Sequence, residues 1–517
     1  MSIDIKNIKI LYICTLKTKT MKPKLSLFAG LCFAMLSQAQ YTTPNTGVDW
    51  TLDDIATASP TTITSSGTEY TLHEDLTIAA TDTFRIHDNI TLKVADNVLI
   101  TVFGKFITNA DAILITALDE NAPYRGFRFE EFSDVSIEKT IIQYSDGLQV
   151  LTEDFNMINC FLQNNVSLTS TGSVVNLSRG IVNIISNEFR NNSKSAIGSA
   201  ANASVSGSII GNVFEYNNSL NTNRPQINMG PTRTDAPLKI IDNEIIGNRD
   251  LDKVGGIAIS NLVGGGTIIA EIEGNIIKDN RYGITITGPN ATAIIKNNTI
   301  EDNDTQGNPM QGGSGINLNS TNGGQTITIT ENKIRRNLWG ITIQNASTAN
   351  TNTININLGD DQDNTGQNVF ANNVNNNNIY ALYNNGPATI MAKHNCWIEG
   401  QDITLEQAED VIFHQVDDAT LGQVIFDPIC TDPNVSTDNF LVNNFAFYPN
   451  PTRNNISFDN SITRFENIQI NDIQGKKVFQ QSLSEMTNNV WFDLPQGMYF
   501  VKFTNNNNTI TKKLVIK

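Results

Sequence analysis

Residues 275–298 read NIIKDNRYGITITGPNATAIIKNN and hold one complete repeat, from one asparagine motif to the next. The motif is Asn-x-(Ile/Phe/Trp)-x-x-Asn. Copies begin at Asn159, Asn187, Asn212, Asn243, Asn275, Asn298, Asn332 and Asn368, and a degenerate copy at Asn395 lacks the last Asn. Successive starts lie 28, 25, 31, 32, 23, 34, 36 and 27 residues apart. Self-similarity on that scale marks a solenoid. Each unit buries its apolar face only by stacking on its neighbours.

The unit reads as strands. A second signal, Gly-(Ile/Leu), follows the Asn motif at Gly147-Leu148, Gly256-Ile257, Gly283-Ile284, Gly315-Ile316 and Gly340-Ile341. A third β-branched run leads back to the next Asn, as in Ile268-Ile269, Ile294-Ile295 and Ile327-Thr328-Ile329. The alternation has period two, and nothing repeats at 3.6. Short strands joined by Gly and Asn corners describe one coil of a parallel β-helix, since both residues tolerate positive φ. The opening Asn shares a strand face with the apolar residue two positions on. It therefore points inward at a corner, where its amide can bond the Asn one coil away. The expected ladder is Asn159, Asn187, Asn212, Asn243, Asn275, Asn298, Asn332, Asn368 and Asn395.

Over roughly residues 70–430 the chain resembles the right-handed parallel β-helix repeat family, which includes pectate-lyase-like and NosD-like proteins. The segments Leu358–Phe370, His394-Asn395-Cys396-Trp397 and Gly422–Pro428 carry much of that resemblance. It implies fold more than chemistry, because this fold hosts many functions.

At the C-terminus, Phe447-Tyr448-Pro449-Asn450-Pro451-Thr452, Ile473–Val478, Leu494–Lys502 and Lys512–Lys517 resemble a type A C-terminal sorting domain of type IX secretion, found in Bacteroidetes. The resemblance implies a small Ig-like β-sandwich, the secretion machinery as partner, passage across the outer membrane, and later proteolytic removal. The alternating runs and Gly/Pro/Asn turns agree with a sandwich. Near the other end, Met21-Lys22-Pro23-Lys24 is a basic n-region, Leu25 to Leu36 a short apolar run, and Ser37-Gln38-Ala39 a small-x-small cleavage site. Met21 reads as the start. No other segment is apolar enough to cross a membrane. The expected divisions are a pre-sequence and signal peptide at 1–39, a linker at 40–66, the capped β-helix at 67–435, a linker at 436–445 and the sorting domain at 446–517. The expected location is secreted or on the outer-membrane surface, reached through the periplasm.

Composition narrows the partners. The net charge is −17 and only 17% of residues are charged, which argues against nucleic acid. It also disfavours an anionic polysaccharide unless calcium or a local basic patch intervenes. Cys14 and Cys32 fall in the pre-sequence. Cys160 and Cys396 occupy the same motif position, on the order of 38 Å apart at strand spacing, too far to bridge. Cys396 and Cys430 can pair in the oxidising envelope and staple the last coil. An unpaired buried thiol is the competing reading for either.

No catalytic signature is present: no Gly-x-Ser-x-Gly, His-Glu-x-x-His, Walker loop or Cys-x-x-Cys. His73, His87, His394 and His414 are not spaced like zinc ligands. Asp360, Asp361 and Asp363 form a candidate hard-cation loop, with calcium as its one cofactor. The competing reading is a solvated corner. Stacked in register, the residue after the inward Ile/Phe is Arg190, Glu215, Ile246, Lys278, Glu301 and Arg335 in successive coils. The residue after that includes Asp279, Asp302 and Arg336. Such a surface is either a ladder of self-paired charges or a groove with Asp279, Asp302, Arg335 and Arg336 side by side. Tyr282 and Trp339 share the position before the Gly-Ile signal. They stack on a glycan in one reading and pack a corner in the other. These residues form the candidate glycan face of a non-catalytic carbohydrate-interacting scaffold or adhesin. The alternative is an extracellular polysaccharide lyase or glycoside hydrolase, for which no acid/base set can be matched.

Overall fold

The structure is a computed structural model and describes residues 40–168, 172–263, 265–321, 323–344, 354–430, 447–458, 465–472, 476–484, 489–505 and 509–516. The expected pre-sequence and signal peptide at 1–39 and the expected linker at 436–445 lie outside the described residues. Up to residue 430 the chain winds as a parallel β-helix. Each full coil contributes a strand to each of three long parallel sheets. In the coil quoted above these are Ile276–Lys278 (third sheet), Ile284–Thr287 (first sheet) and Ala291–Lys296 (second sheet). The first and second sheets are continuous through shared hydrogen bonding and form a 26-stranded unit; the third has 13 strands. Val175–Ile185 and Ile197–Ile210 are long enough to run through both faces of the larger unit.

Stacking holds strict register. The central residue of each third-sheet strand points inward, giving the column Leu162, Phe189, Phe214, Ile245, Ile277, Ile300, Ile334 and Phe370. All of these are buried, each contributing about 1.5–3 kcal/mol by removal from water.

The corners explain the motif. The residue before each inward Asn is left-handed, as at Ser186, Asp242, Asn297, Glu331 and Gln367. A second left-handed residue ends the third-sheet strand, as at Asn191, Asp279, Asp302 and Arg336. Between these bends the Asn side chains turn inward. The Asn298 backbone N–H and side-chain amide both donate to Asn332 Oδ1, at 3.0 and 2.9 Å. The same paired bonds link Asn187, Asn212, Asn243, Asn275, Asn298, Asn332, Asn368 and Asn395 in order.

Asn159 is not in this ladder. It is exposed, with φ 55°, and occupies the corner position. Cys160 takes the inward place: its N–H donates to Asn187 Oδ1 at 2.8 Å and its thiol to Ile137 O at 3.4 Å. Cys160 and Cys396 therefore do not share a position. The motif's last Asn builds a second ladder at the next corner, through Asn165, Asn192 and Asn217 and again through Asn280, Asn303, Asn337 and Asn373. Asn248 turns away, and Gln226 bridges the gap by accepting from Asn217 and donating to Asn280.

Residues 40–66, expected as a linker, belong to the solenoid. Gln40–Thr42 pairs with Asp75–Thr77, and Asp49–Trp50 with Thr83–Phe84. Helix Leu52–Ala58, opened by a Thr51/Asp54 capping box, buries Leu52 and Ile55 in the main core. Ile63–Ser66 pairs antiparallel with Glu69–Leu72 and covers the open edge of the third sheet. After residue 446, two antiparallel sheets of three and four strands enclose a separate core that includes Ile456, Phe458, Ile470, Val501, Phe503 and Leu514. This is a small sandwich. Among the described residues no helix is long and apolar enough to cross a membrane.

Candidate functional site

The first sheet forms the floor of a groove. One outward row runs Gln149, Asn176, Gly198, Asn228, Ala258, Thr285, Asn317, Thr342, Tyr383 and Phe413 in consecutive register. Its polar members bond along the row. Asn176 donates to Gln149 at 2.9 Å, Asn317 to Thr285 at 3.1 Å, and Thr342 to Asn317 at 2.9 Å. From Gln149 to Phe413 no residue of this row is charged, although Gly198, Ala258 and Thr342 within it are buried; on the N-terminal side of Gln149 the same register continues with Arg128.

The loops leading from the third sheet to the first form one wall. Each leans on the next. Asn221 donates to Asp252, Thr305 to Leu251 O, and Trp339 Nε1 to Pro309 O at 3.0 Å. Arg249 spans Asp279 and Asp304 at 2.9 and 2.8 Å. Arg336 holds both Glu301 and Asp302 at 2.7 Å. Arg190 pairs with Glu215 in the same way. Arg335 is buried and bidentate to Glu399, at 2.7 and 2.6 Å, across 64 residues of sequence.

Asp279, Asp302 and Arg336 thus lie close together, held in ion pairs between coils. Arg335 points elsewhere, into its own pair. That geometry leaves neither a lone base nor two facing carboxylates in this cluster.

The two candidate rings separate as well. Tyr282 lies against Gly255, where an added Cβ would come within 2.2 Å of its ring. Burial pushes its phenol up to about 12. Trp339 joins a cluster that the repeat did not reveal, with ring centroids 4.8 Å from Tyr380 and 5.0 Å from Tyr383. Tyr383 stacks on Phe413 at 4.5 Å and 2°. Trp339 is half-buried and hydrogen-bonded, so these two residues are not a pair of freely exposed rings. The signal for Tyr383 and Phe413 was present but altered: Ala381-Leu382 and Val411-Ile412 stand where earlier coils carry Gly-Ile.

The acidic loop braces itself. Asp360 Oδ1 accepts the backbone N–H groups of Gln362, Asp363 and Asn364 at 2.8–3.0 Å, and Oδ2 accepts from Asn357. Those N–H donors, Asn364 and Gln362 foremost, lower its carboxyl to about 2. Asp361 is paired with Lys393 and His394. Asp360, Asp361 and Asp363 therefore do not converge, and among the described residues no three His, Cys, Asp or Glu side chains could hold a metal ion. Cys396 and Cys430 form a disulfide with Cα atoms 5.1 Å apart. Cys160 is a buried free thiol whose pKa burial raises to about 12, so it is inert rather than nucleophilic.

The fold defines a parallel β-helix followed by a small sandwich. Residues 446–517 of the sandwich match the secretion system C-terminal sorting domain family. The chain therefore carries a type IX export signal and is secreted or attached at the outer-membrane surface. Comparison with curated proteins and with solved structures gives no match.

Proposed function

We propose that the exported β-helix is a non-catalytic carbohydrate-interacting protein, a glycan-binding scaffold or adhesin. The observation that carries this reading is the uncharged row on the groove floor. Its partly exposed amides and hydroxyl, at Gln149, Asn176, Asn228, Thr285 and Asn317, offer both donors and acceptors to sugar hydroxyls. The row extends roughly 40 Å at about 4.8 Å per coil, a length suited to a linear chain. It ends at rings, whose apolar bodies suit the C–H faces of sugars. The neighbouring charges are occupied with one another and so contribute structure.

The test is binding of the purified exported protein to neutral and uronate polysaccharides, with and without calcium, alongside assay for shortened products. Retention without shortening supports the scaffold. Shortened products would make the protein a lyase or hydrolase instead. No retention of any glycan would overturn the reading.

A further inference from the structure

We propose that the groove ends in a defined subsite for a neutral sugar ring, in the cleft between the last two wall loops. This deepens, and rests on, the carbohydrate reading. The cleft measures about 570 Å³, within the range of small-ligand sites. One wall is the hairpin Val374–Ile379, turned by left-handed Asn376 and Asn377. The other is helix Leu405–Glu409, with Asp410 as its C-cap.

Tyr380, Ile398 and Phe413 supply apolar surface, and Asn378, Asp410 and Asp417 supply polar groups. Phe413 lies on the last strand of its row among the described residues, with Tyr383 stacked on one side. A sugar ring in the cleft would lie against Tyr380 and Phe413, which both line it. The lining contains no Lys, Arg or His. A uronate, sulfate or phosphate would therefore meet carboxylates with no cation to offset them. A neutral sugar offers hydroxyl donors to Asp410 and Asp417, accepts from the Asn378 amide, and lays its C–H face on the rings.

The other clefts differ in kind. The one over the first sheet near the N-terminal end holds Arg125, Arg128 and Lys194, each in an ion pair. The one over the third sheet has Leu114, Ile141 and Phe161 on its floor. Both also carry a ring, carboxylates and amides, but each is lined by cations as well, Arg125, Arg128 and Lys194 in the first and Lys139 in the second, so the terminal cleft is the one of the three without a positive charge.

The test titrates neutral gluco-, manno-, galacto- and xylo-oligosaccharides into the full exported protein. Galacturonate and glucosamine oligomers serve as charged probes. Binding is followed by calorimetry and by tryptophan fluorescence, since Trp339 lies against Tyr380. Tyr380→Ala is expected to weaken neutral-sugar binding about tenfold. Asn378→Ala and Asp410→Ala, at surface positions, are expected to weaken it about three- to tenfold at unchanged melting temperature. Asn317→Leu reports on the groove floor independently. If the wild type binds and the three cleft variants bind equally well, the subsite falls; loss in Asn317→Leu alone would leave the groove reading standing. Binding only of charged oligomers also overturns the subsite. No binding of any oligosaccharide overturns both readings.

Discussion

Replacing Asn298 by Leu tests the architecture at its most repeated contact. The Asn298 side chain accepts from the Asn275 N–H and amide, both at 2.9 Å. It donates to Ile272 O at 2.9 Å, Lys296 O at 3.0 Å and Asn332 Oδ1 at 2.9 Å. Leucine removes all five bonds. The Asn275 amide keeps Ile240 O and Glu273 O, and Asn332 Oδ1 keeps the residue 298 N–H. The Asn275 N–H loses its acceptor in a fully buried corner, which costs about 1–3 kcal/mol; the remaining bonds add roughly 1 kcal/mol net after leucine's own burial. The expected loss is about 2–4 kcal/mol by denaturant or thermal unfolding. Asn159→Ala is the control. That residue only bends the chain, so the cost should be the left-handed strain of about 1–2 kcal/mol. If Asn298→Leu loses less than Asn159→Ala, inward hydrogen bonding does not hold the coils together.

Three further outcomes are expected. Thiol titration of the protein from Gln40 onward should find no reactive thiol when folded, one after unfolding without reductant (Cys160), and three with it. Cutting the bridge by Cys430→Ser should cost roughly 3–4 kcal/mol for a loop of this size. The depressed carboxyl of Asp360 contributes stability above the unfolded value near 4 and loses it as pH falls through about 2. Protection of the amides of residues 362–364 against hydrogen exchange, taken relative to the intrinsic rate at each pH, should fall across that interval, and Asp360→Asn should flatten the fall. Arg335→Ala should lower stability by about 1–3 kcal/mol, tempered because Glu399 is partly wet. It should leave glycan binding unchanged, and the added change Glu399→Gln should restore part of the stability; unchanged stability in Arg335→Ala would refute a structural role.

The coil was legible because its third-sheet strand is short, three residues between two fixed bends, and so recurs as a spacing of Asn residues. The first copy misled by one position for a physical reason. Asn suits both the left-handed bend and the inward amide, so the text around Asn159 cannot say which it occupies; only burial tells, and Cys160 is the buried one. The substitution of Gln226 for Asn248 was hidden for a similar cause, since a longer amide reaches the ladder from a different strand. The charged row was legible as a register, and Arg190 with Glu215 follows from it. The partner of Arg335 was not, because Glu399 lies on a loop outside the repeat. The groove walls and the Tyr380–Phe413 cluster are built from loops of unequal length, whose positions depend on the coils beneath them.

The bond between Cys396 and Cys430 has a mechanical consequence. A parallel coil pulled at its free end opens one hydrogen bond at a time, like a zipper. Here a pull transmitted from residue 431 onward reaches Cys430 first and passes across the sulfur atoms to Cys396. It thereby bypasses the loop closed by the bridge, which spans a sequence separation of 34 and includes the strands Ile412–Phe413 and Val424–Ile425. The load arrives beside Trp397, which is buried and stacked on Phe370 at 5.1 Å. Drag on a cell-surface protein held by its C-terminal end would therefore be borne by covalent bonds and a packed ring, while the terminal rungs, and the cleft they frame, stay out of the line of tension.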